Sequence, residues 1–356
     1  MRLLHFFWFN YHRRSGDEIV YQDSNSEIQK WGERLLSRNF SVHSTSCVSQ
    51  GRVTVSKDDI LLGHPTWDGL NSALEQFGRS ERDWMRDNRL HEDDACHPNS
   101  YVLVPWVPQF PPEWTSRMPC YESQLEAARV IFAICGRLWL ERTLELRDAS
   151  IQSRVKNKLV RLNMCVNSGA FRESKEAFNP VGRRRLIHVS NMAPYKNIDL
   201  LLQSTAGVTV PSIGSRALKK LARGEAEMDV AGESLPFINL GAVNNDDQEQ
   251  IRALVRGHDF YIHTASMDAQ ATTTLEFAAR GLIPIVTPES GFDGEDAIYL
   301  TGSPQKNREI IRRALEMTDE ECMHRSRRLR EYIRREHSWE SFYATIAAKI
   351  SATCQN

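Results

Sequence analysis

The chain has 356 residues, 41% of them hydrophobic and 26% charged, with a formal net charge of −1. This is the composition of a globular chain long enough for about two domains, and it excludes both a disordered polyelectrolyte and a protein held to nucleic acid by a global positive field. Seven scattered cysteines, odd in number and without a C-x-x-C pair, point to reduced thiols in a cytoplasmic protein and to no zinc site.

Met1 to Asn10 is too short and too aromatic for a signal peptide, and residues 3–9 read as a first buried strand. A polar loop, Tyr11 to Asn25, leads to a helix from Ser26 to Arg38 opened by a Ser26-x-x-Gln29 capping box, with a strand near Phe40 to Thr45. Asp58 to Gly63 is a buried strand whose carboxyl end delivers His64, Trp67 and Asp68. Glu81 to Asn99 is rich in Asp, Glu, Arg and His, and without helical periodicity to fix ligand geometry it reads as a mobile acidic loop, not a metal cluster. A strand, Tyr101 to Pro105, ends at Trp106; Glu122 to Arg142 reads as a helix with an apolar stripe, and Lys158 to Asn163 as a strand. No run approaches the ~18 apolar residues of a membrane span. Basic and apolar patches at Arg137 to Arg142 and Arg154 to Arg161 leave room for peripheral contact with a membrane surface, against the simpler reading of solvated helix faces.

Arg185 to Leu202 reads as strand, loop and helix, and Pro236 to Val243 as a strand and loop before an acidic helix start. Asp259 to His263 is a β-branched and aromatic strand; after a break, Thr272 to Arg280 is a helix closed by Gly281, and Leu282 to Val286 is the next strand. Such a βαβ unit places ligands beyond the carboxyl ends of parallel strands, the side on which Asp268 and Glu276 lie. A helix start near Thr272 and Thr273 presents unpaired N–H groups and a partial positive charge suited to a diphosphate. Glu276, one turn in, can accept from ribose hydroxyls, and Asp268 can touch a transferred sugar; both are also ordinary carboxylates for a helix start. Arg308 to Arg335, with nine arginines, reads as two surface helices.

The spacing of Asp268 and Glu276, eight positions apart, resembles the acid–x7–acid signature of retaining GT-B glycosyltransferases of the family-4 group, which includes sucrose and glycan-chain synthases. Three further segments fall in that family's order: Arg185 to Leu202 with Lys196 at the phosphate-binding lysine position, Pro236 to Val243, and His337-Ser-Trp-Glu-Ser-Phe342 as the terminal "SW" helix. Asn167 to Phe171 is similar to the family's crossover between domains. The resemblance implies an α/β, GT-B fold of two Rossmann-like domains facing each other across a cleft. It divides the chain into an acceptor-side domain 1–170, a donor-binding domain 171–336 and a terminal helix 337–356 that crosses back.

It also implies sugar transfer from a nucleotide-diphosphate donor to a hydroxyl of a glycan or lipid-linked acceptor, with retention and without an obligatory cofactor. No Asp-x-Asp motif for a divalent ion occurs. Lys196 would stabilise the leaving diphosphate, Glu276 would hold the ribose, Asp268 would contact the sugar, and His64 would orient the acceptor hydroxyl, with Trp67 stacking on a sugar face. Backbone around Gly241 and Val243 would hold the base. Asn191, Ala269, Ala271, Thr272 and Thr273 complete the expected donor contacts. The chain departs from the family where Ser190-Asn191 replaces Gly-Arg, where Asp268-Ala-Gln-Ala271 replaces Glu-Gly-Phe-Gly, and where Trp106 replaces a reaction-centre histidine. Each Cβ on a former glycine limits how closely backbone approaches a ligand. A catalytically degenerate binding or scaffold subunit is therefore the alternative.

Overall fold

The computed structural model describes residues 1–6, 12–15, 18–21, 27–44, 56, 58–63, 99–108, 125–172, 174–216, 236–244 and 247–354. By internal packing the chain forms two compact units, one comprising Met1–Cys135, Leu140–Asn163 and Trp339–Asn356, the other Gly136–Trp139 and Met164–Ser338. Each is built on a six-stranded sheet in which every described pairing is parallel. Such sheets are buried on both faces, so their strands read as continuous apolar runs.

In the first unit, β1 (Arg2–Phe6), β4 (Ser41–Ser44), β5 (Ile60–Gly63), β6 (Ser100–Pro105), β7 (Val130–Ile134) and β8 (Leu159–Leu162) lie in the order β4-β1-β5-β6-β7-β8. Helix α1 (Glu27–Leu36) packs against the terminal helix, which we number α9 (Trp339–Cys354). The two approach closely at Gly32, where a Cβ would lie 2.8 Å from the Tyr343 hydroxyl. Trp339 and Phe342 are buried at 5.7 Å edge to face, as their three-residue spacing predicts. Tyr101 Oη lies 2.7 Å from Thr353 Oγ1, joining the start of β6 to the end of α9.

Two expected elements differ. The polar loop over Tyr11 to Asn25 contains an antiparallel pair, β2 (His12–Ser15) and β3 (Glu18–Tyr21), which the polar composition obscured. The helix expected over Glu122 to Arg142 is divided: Val130–Ile134 is β7, buried at all five positions between β6 and β8, and a helix, α2 (Arg137–Glu145), begins only after it. A five-residue apolar run satisfies a helical stripe and a buried strand equally well; its place in the sheet decides. After α2, a short helix α3 (Ala149–Val155) is capped by the Asp148 carboxylate and leads into β8.

The second unit orders β9 (Leu186–Ser190), β10 (Ser212–Ser215), β11 (Ile238–Ala242), β12 (Phe260–His263), β13 (Ile283–Val286) and β14 (Ile298–Tyr299) as β11-β10-β9-β12-β13-β14. Among the described residues its α-helices are α4 (Ile198–Thr205), α5 (Gln248–Gly257), α6 (Thr272–Ala279), α7 (Pro304–Leu315) and α8 (Asp319–Glu336). The last two occupy the arginine-rich stretch read as two helices, and α8 starts with a full capping box between Thr318 and Glu321. At the amino ends of the strands, buried Asp259 accepts from the Asn179 and Arg185 N–H groups at 2.8 and 2.9 Å and from Asn179 Nδ2 at 2.8 Å, with the Lys175 ammonium 3.3 Å away. At the carboxyl ends the polar residues are arranged differently, as two cation–carboxylate pairs.

Candidate donor-binding site

Strand β9 delivers the first group. His188 Nδ1 lies 2.8 Å from the Ile262 carbonyl, which can only accept, so Nδ1 carries the proton and Nε2 accepts from Ser190 Oγ at 2.9 Å. Burial pushes the His188 imidazole down to about 3, keeping it neutral. Ser190 Oγ in turn accepts from the Met192 N–H at 3.1 Å, helping to set the loop after the strand. That loop holds Met192 and Asn197 in left-handed conformations, φ 55° and 53°, which are uncommon for residues with a Cβ. Asn197 then caps α4 through its side chain. The result buries Lys196 and brings its ammonium onto Asp268 Oδ2.

Asp268 comes from the loop between β12 and α6, which is tied to the first. Thr264 Oγ1 donates to the Lys196 and Asn197 carbonyls at 3.3 and 3.0 Å, and the Ser266 N–H donates to the Tyr195 carbonyl at 2.8 Å. On its other side, the Asp268 N–H reaches the Glu289 carbonyl at 2.9 Å and the Gly136 N–H reaches the Ala269 carbonyl at 2.8 Å. Gly291 (φ 71°) permits this approach, since a Cβ there would stand 2.2 Å from the Ala269 oxygen. His263 Nε2 lies 3.3 Å from Asp268 Oδ2. Burial lowers the His263 pKa, so its neutral ring donates from Nε2. Burial opposes the Asp268 charge, but the His263 hydrogen bond and the Lys196 ammonium outweigh it and hold the carboxyl below its ordinary range. Both contacts use Oδ2, and the side chain is 15% exposed.

Helix α6 begins at Thr272, and its cap residue Ala271 makes no side-chain cap. Its first N–H groups thus face the carboxyl ends of the strands without the Ser, Thr, Asp or Asn oxygen that ordinarily satisfies one of them. Thr273 is buried and Thr272 partly so. Glu276 Oε2 receives Arg216 Nη2 at 2.5 Å. Arg216 follows the last residue of β10, and its N–H donates to the Ser190 carbonyl at 3.0 Å. The sequence reading missed it because Ser212-Ile-Gly-Ser215 carries little apolar signal; Gly214 is required there, since a Cβ would lie 2.7 Å from Val243 Cγ2.

The remaining expected residues divide. Lys196 and Asp268 touch, and Glu276, Thr272 and Thr273 share α6. Asn191 is exposed and turned onto its own loop, accepting from the Ala193 N–H at 3.3 Å. The Gly241 N–H is used by Asn239 Oδ1 at 2.8 Å and the Val243 N–H by the Ser215 carbonyl at 2.7 Å. Both N–H groups are thus already hydrogen-bonded within the protein. His64, Trp67, Asp68, Gly16, Ser26 and the loop histidines His91 and His97 lie outside the described residues. Trp106 is fully buried, donates from Nε1 to the Leu140 carbonyl at 3.1 Å and carries the Arg147 guanidinium 4.6 Å over its ring. In the second basic patch Arg154 pairs with Glu126, and Lys158 and Arg161 donate to the Glu126 and Cys135 carbonyls. Among the described residues no helix is long and apolar enough to cross one.

No family model and no curated protein sequence matches the chain. Solved structures do. TarM superposes with a TM-score of 0.55 at 13% identity, over 85% of this chain and 57% of its own length, so the chain spans little more than half of that protein. OtsA, a trehalose-6-phosphate synthase, gives 0.54 at 11% identity over 99% of both chains. The UDP-forming α,α-trehalose-phosphate synthase from Burkholderia xenovorans, solved with glucose-6-phosphate, gives 0.53 at 12% identity over 93% of this chain and 79% of its own. The fold is that of the GT-B glycosyltransferases. Identities this low establish the GT-B architecture alone, and the site must carry the chemistry.

Proposed function

We propose that this GT-B protein is a family-4-type retaining glycosyltransferase, moving a hexosyl group from a nucleotide-diphosphate donor to a hydroxyl acceptor. The observation that carries the reading is the gathering of Lys196, Asp268 and Glu276 around the uncapped start of α6, at the carboxyl ends of β9, β10 and β12. Two basic side chains and a helix start without a side-chain cap suit a diphosphate, whose negative charge grows as the glycosidic bond breaks. Lys196 neutralises that charge, Glu276 accepts from the ribose hydroxyls, and Asp268 presents its outer oxygen to the sugar. The leaving phosphate, on the face of attack, takes the acceptor proton, which gives retention. Resemblance to a UDP-forming synthase supports a uridine donor. A glycan acceptor and a cytoplasmic or inner-membrane-face location belong to the same reading.

The test is thermal stabilisation of the purified chain by UDP-, GDP- and ADP-sugars, where ligand at 100 times its Kd adds about 2.7 kcal/mol, followed by a transfer assay with the donor that shifts the melt. Lys196→Ala and Glu276→Ala should abolish both the shift and transfer. Transfer unchanged in either variant would show the roles to be wrong. One observation favours the second reading: Ala269 and Ala271 stand where close backbone approach needs glycine, and both acids are already paired with cations. Donor binding without transfer or hydrolysis, together with capture of a catalytic partner, would select that scaffold function.

A further inference from the structure

As it stands the site balances its charges pairwise, Lys196 with Asp268 and Arg216 with Glu276. A diphosphate entering in front of α6 brings two or more negative charges close to two carboxylates, so a cation must change partners. The pairs are unequally disposed to do so. Lys196 is 9% exposed and its partner 15%, and that carboxylate is also held by His263. Arg216 is 19% exposed and Glu276 22%, joined by a single described contact. Arg216 also holds an unmet demand: its Nε is buried without a hydrogen-bond partner among the described residues. A guanidinium using only Nη2 on a carboxylate has half of its planar fork idle, and phosphate oxygens match that fork in two parallel bonds.

We infer that Arg216 is a second diphosphate ligand of the donor site, parked on Glu276 when the site is empty and passing to the diphosphate when it fills. The inference rests on the donor-site reading above. Transfer of the guanidinium satisfies Nε and releases the Glu276 carboxylate at the moment a ribose needs it, so diphosphate and ribose recognition are coupled through one side chain. It also locates the charge that the loop after β9 lacks. Asn191 offers no cation and is occupied with the Ala193 N–H, whereas Arg216 hangs from the neighbouring strand, bonded through its own N–H to Ser190, one residue away. No covalent step is involved; one ion pair is exchanged for another.

Calorimetric titration of the full chain with inorganic pyrophosphate and with UDP, GDP and ADP tests this. Arg216→Gln should weaken pyrophosphate and the preferred nucleoside diphosphate by about ten-fold or more, the worth of hydrogen bonds to a charged group. Arg216→Lys, keeping the charge without the fork, should recover part of the loss. Glu276→Gln should do the opposite for pyrophosphate: freed from its parking place, Arg216 binds it several-fold tighter than in the parent chain, while the nucleoside diphosphate gains less or loses affinity. A purely structural Arg216–Glu276 pair predicts no gain in Glu276→Gln, and this readout stands even where Arg216→Gln folds poorly. Loss of binding in Lys196→Ala with unchanged pyrophosphate affinity in both Arg216→Gln and Glu276→Gln would overturn the exchange and leave the donor site intact. Loss in Arg216→Gln without gain in Glu276→Gln would overturn it too. Failure of the parent chain to bind any diphosphate would instead overturn the donor-site reading, and this inference with it.

Discussion

Replacing Gly291 with alanine probes the site without touching any group proposed to meet a ligand. Two costs are separable. At φ 71° an alanine occupies the left-handed region, worth about 1–2 kcal/mol. Its Cβ would also stand 2.2 Å from the Ala269 carbonyl oxygen and 2.8 Å from that of Asp268, both backbone atoms that cannot swing aside. Overpacking of this kind adds about 1–3 kcal/mol. The sum is about 3 kcal/mol, and for a unit of roughly 180 residues each kcal/mol moves the melting temperature by about 2–4 °C, giving a fall of about 6–12 °C. Gly182→Ala is the matched control, since Gly182 has φ 86° but nothing within 4 Å of the added Cβ, so it reports the backbone cost alone. Scanning calorimetry of both variants, with nucleoside diphosphate titrations at a temperature where each is folded, should show Gly291→Ala melting lower than Gly182→Ala and binding about ten-fold more weakly through the displaced Asp268 loop. Equal melting temperatures for the two variants, or parent-like nucleotide affinity in Gly291→Ala, would refute the argument that close approach at Gly291 holds the loop.

Asp259→Ala should destabilise the second unit by about 3–5 kcal/mol in urea titrations, because it strands the Lys175 ammonium and three N–H donors in a buried place. Stability should fall on acidification below about pH 6.5: His188 and His5 titrate near 3 in the fold, so the unfolded chain binds the extra protons between those values. The loss is about 1.4 kcal/mol per pH unit for each histidine, and His188→Gln should remove one such increment from the slope measured between about pH 4.5 and 6. Asp268 acts elsewhere on the scale, since its depressed pKa contributes stability that is lost only below the ordinary carboxylate range. Trp106→His should lower stability by about 3 kcal/mol or more and leave transfer no faster, because the indole fills a closed space with its Nε1 satisfied; a faster enzyme would show that position 106 belongs to the reaction.

What the sequence determined by itself was the local grammar. Apolar runs such as Phe260–His263 and Ile283–Val286 and the glycine after α6 were enough to place these strands and the helix between them, since each signal is set by residues within a turn or two of one another; the two-domain α/β GT-B fold came from the resemblance carried by the order of the segments. The spacing of Asp268 and Glu276 also lies within one loop and helix, and was legible for that reason. Ambiguous or weak runs were not: Val130–Ile134 serves equally well in a helix, and Ser212–Ser215 is a strand because Gly214 lets β11 close against it. Only the tertiary structure decided the partners. Lys196 meets Asp268 across 72 positions and Arg216 meets Glu276 across 60, while Trp106 turns into the core of the first unit. Periodicity records which face of an element is apolar. It holds no information on which strand ends lie side by side, and in a parallel sheet that order, β10-β9-β12, brings the distant cations and acids to one place.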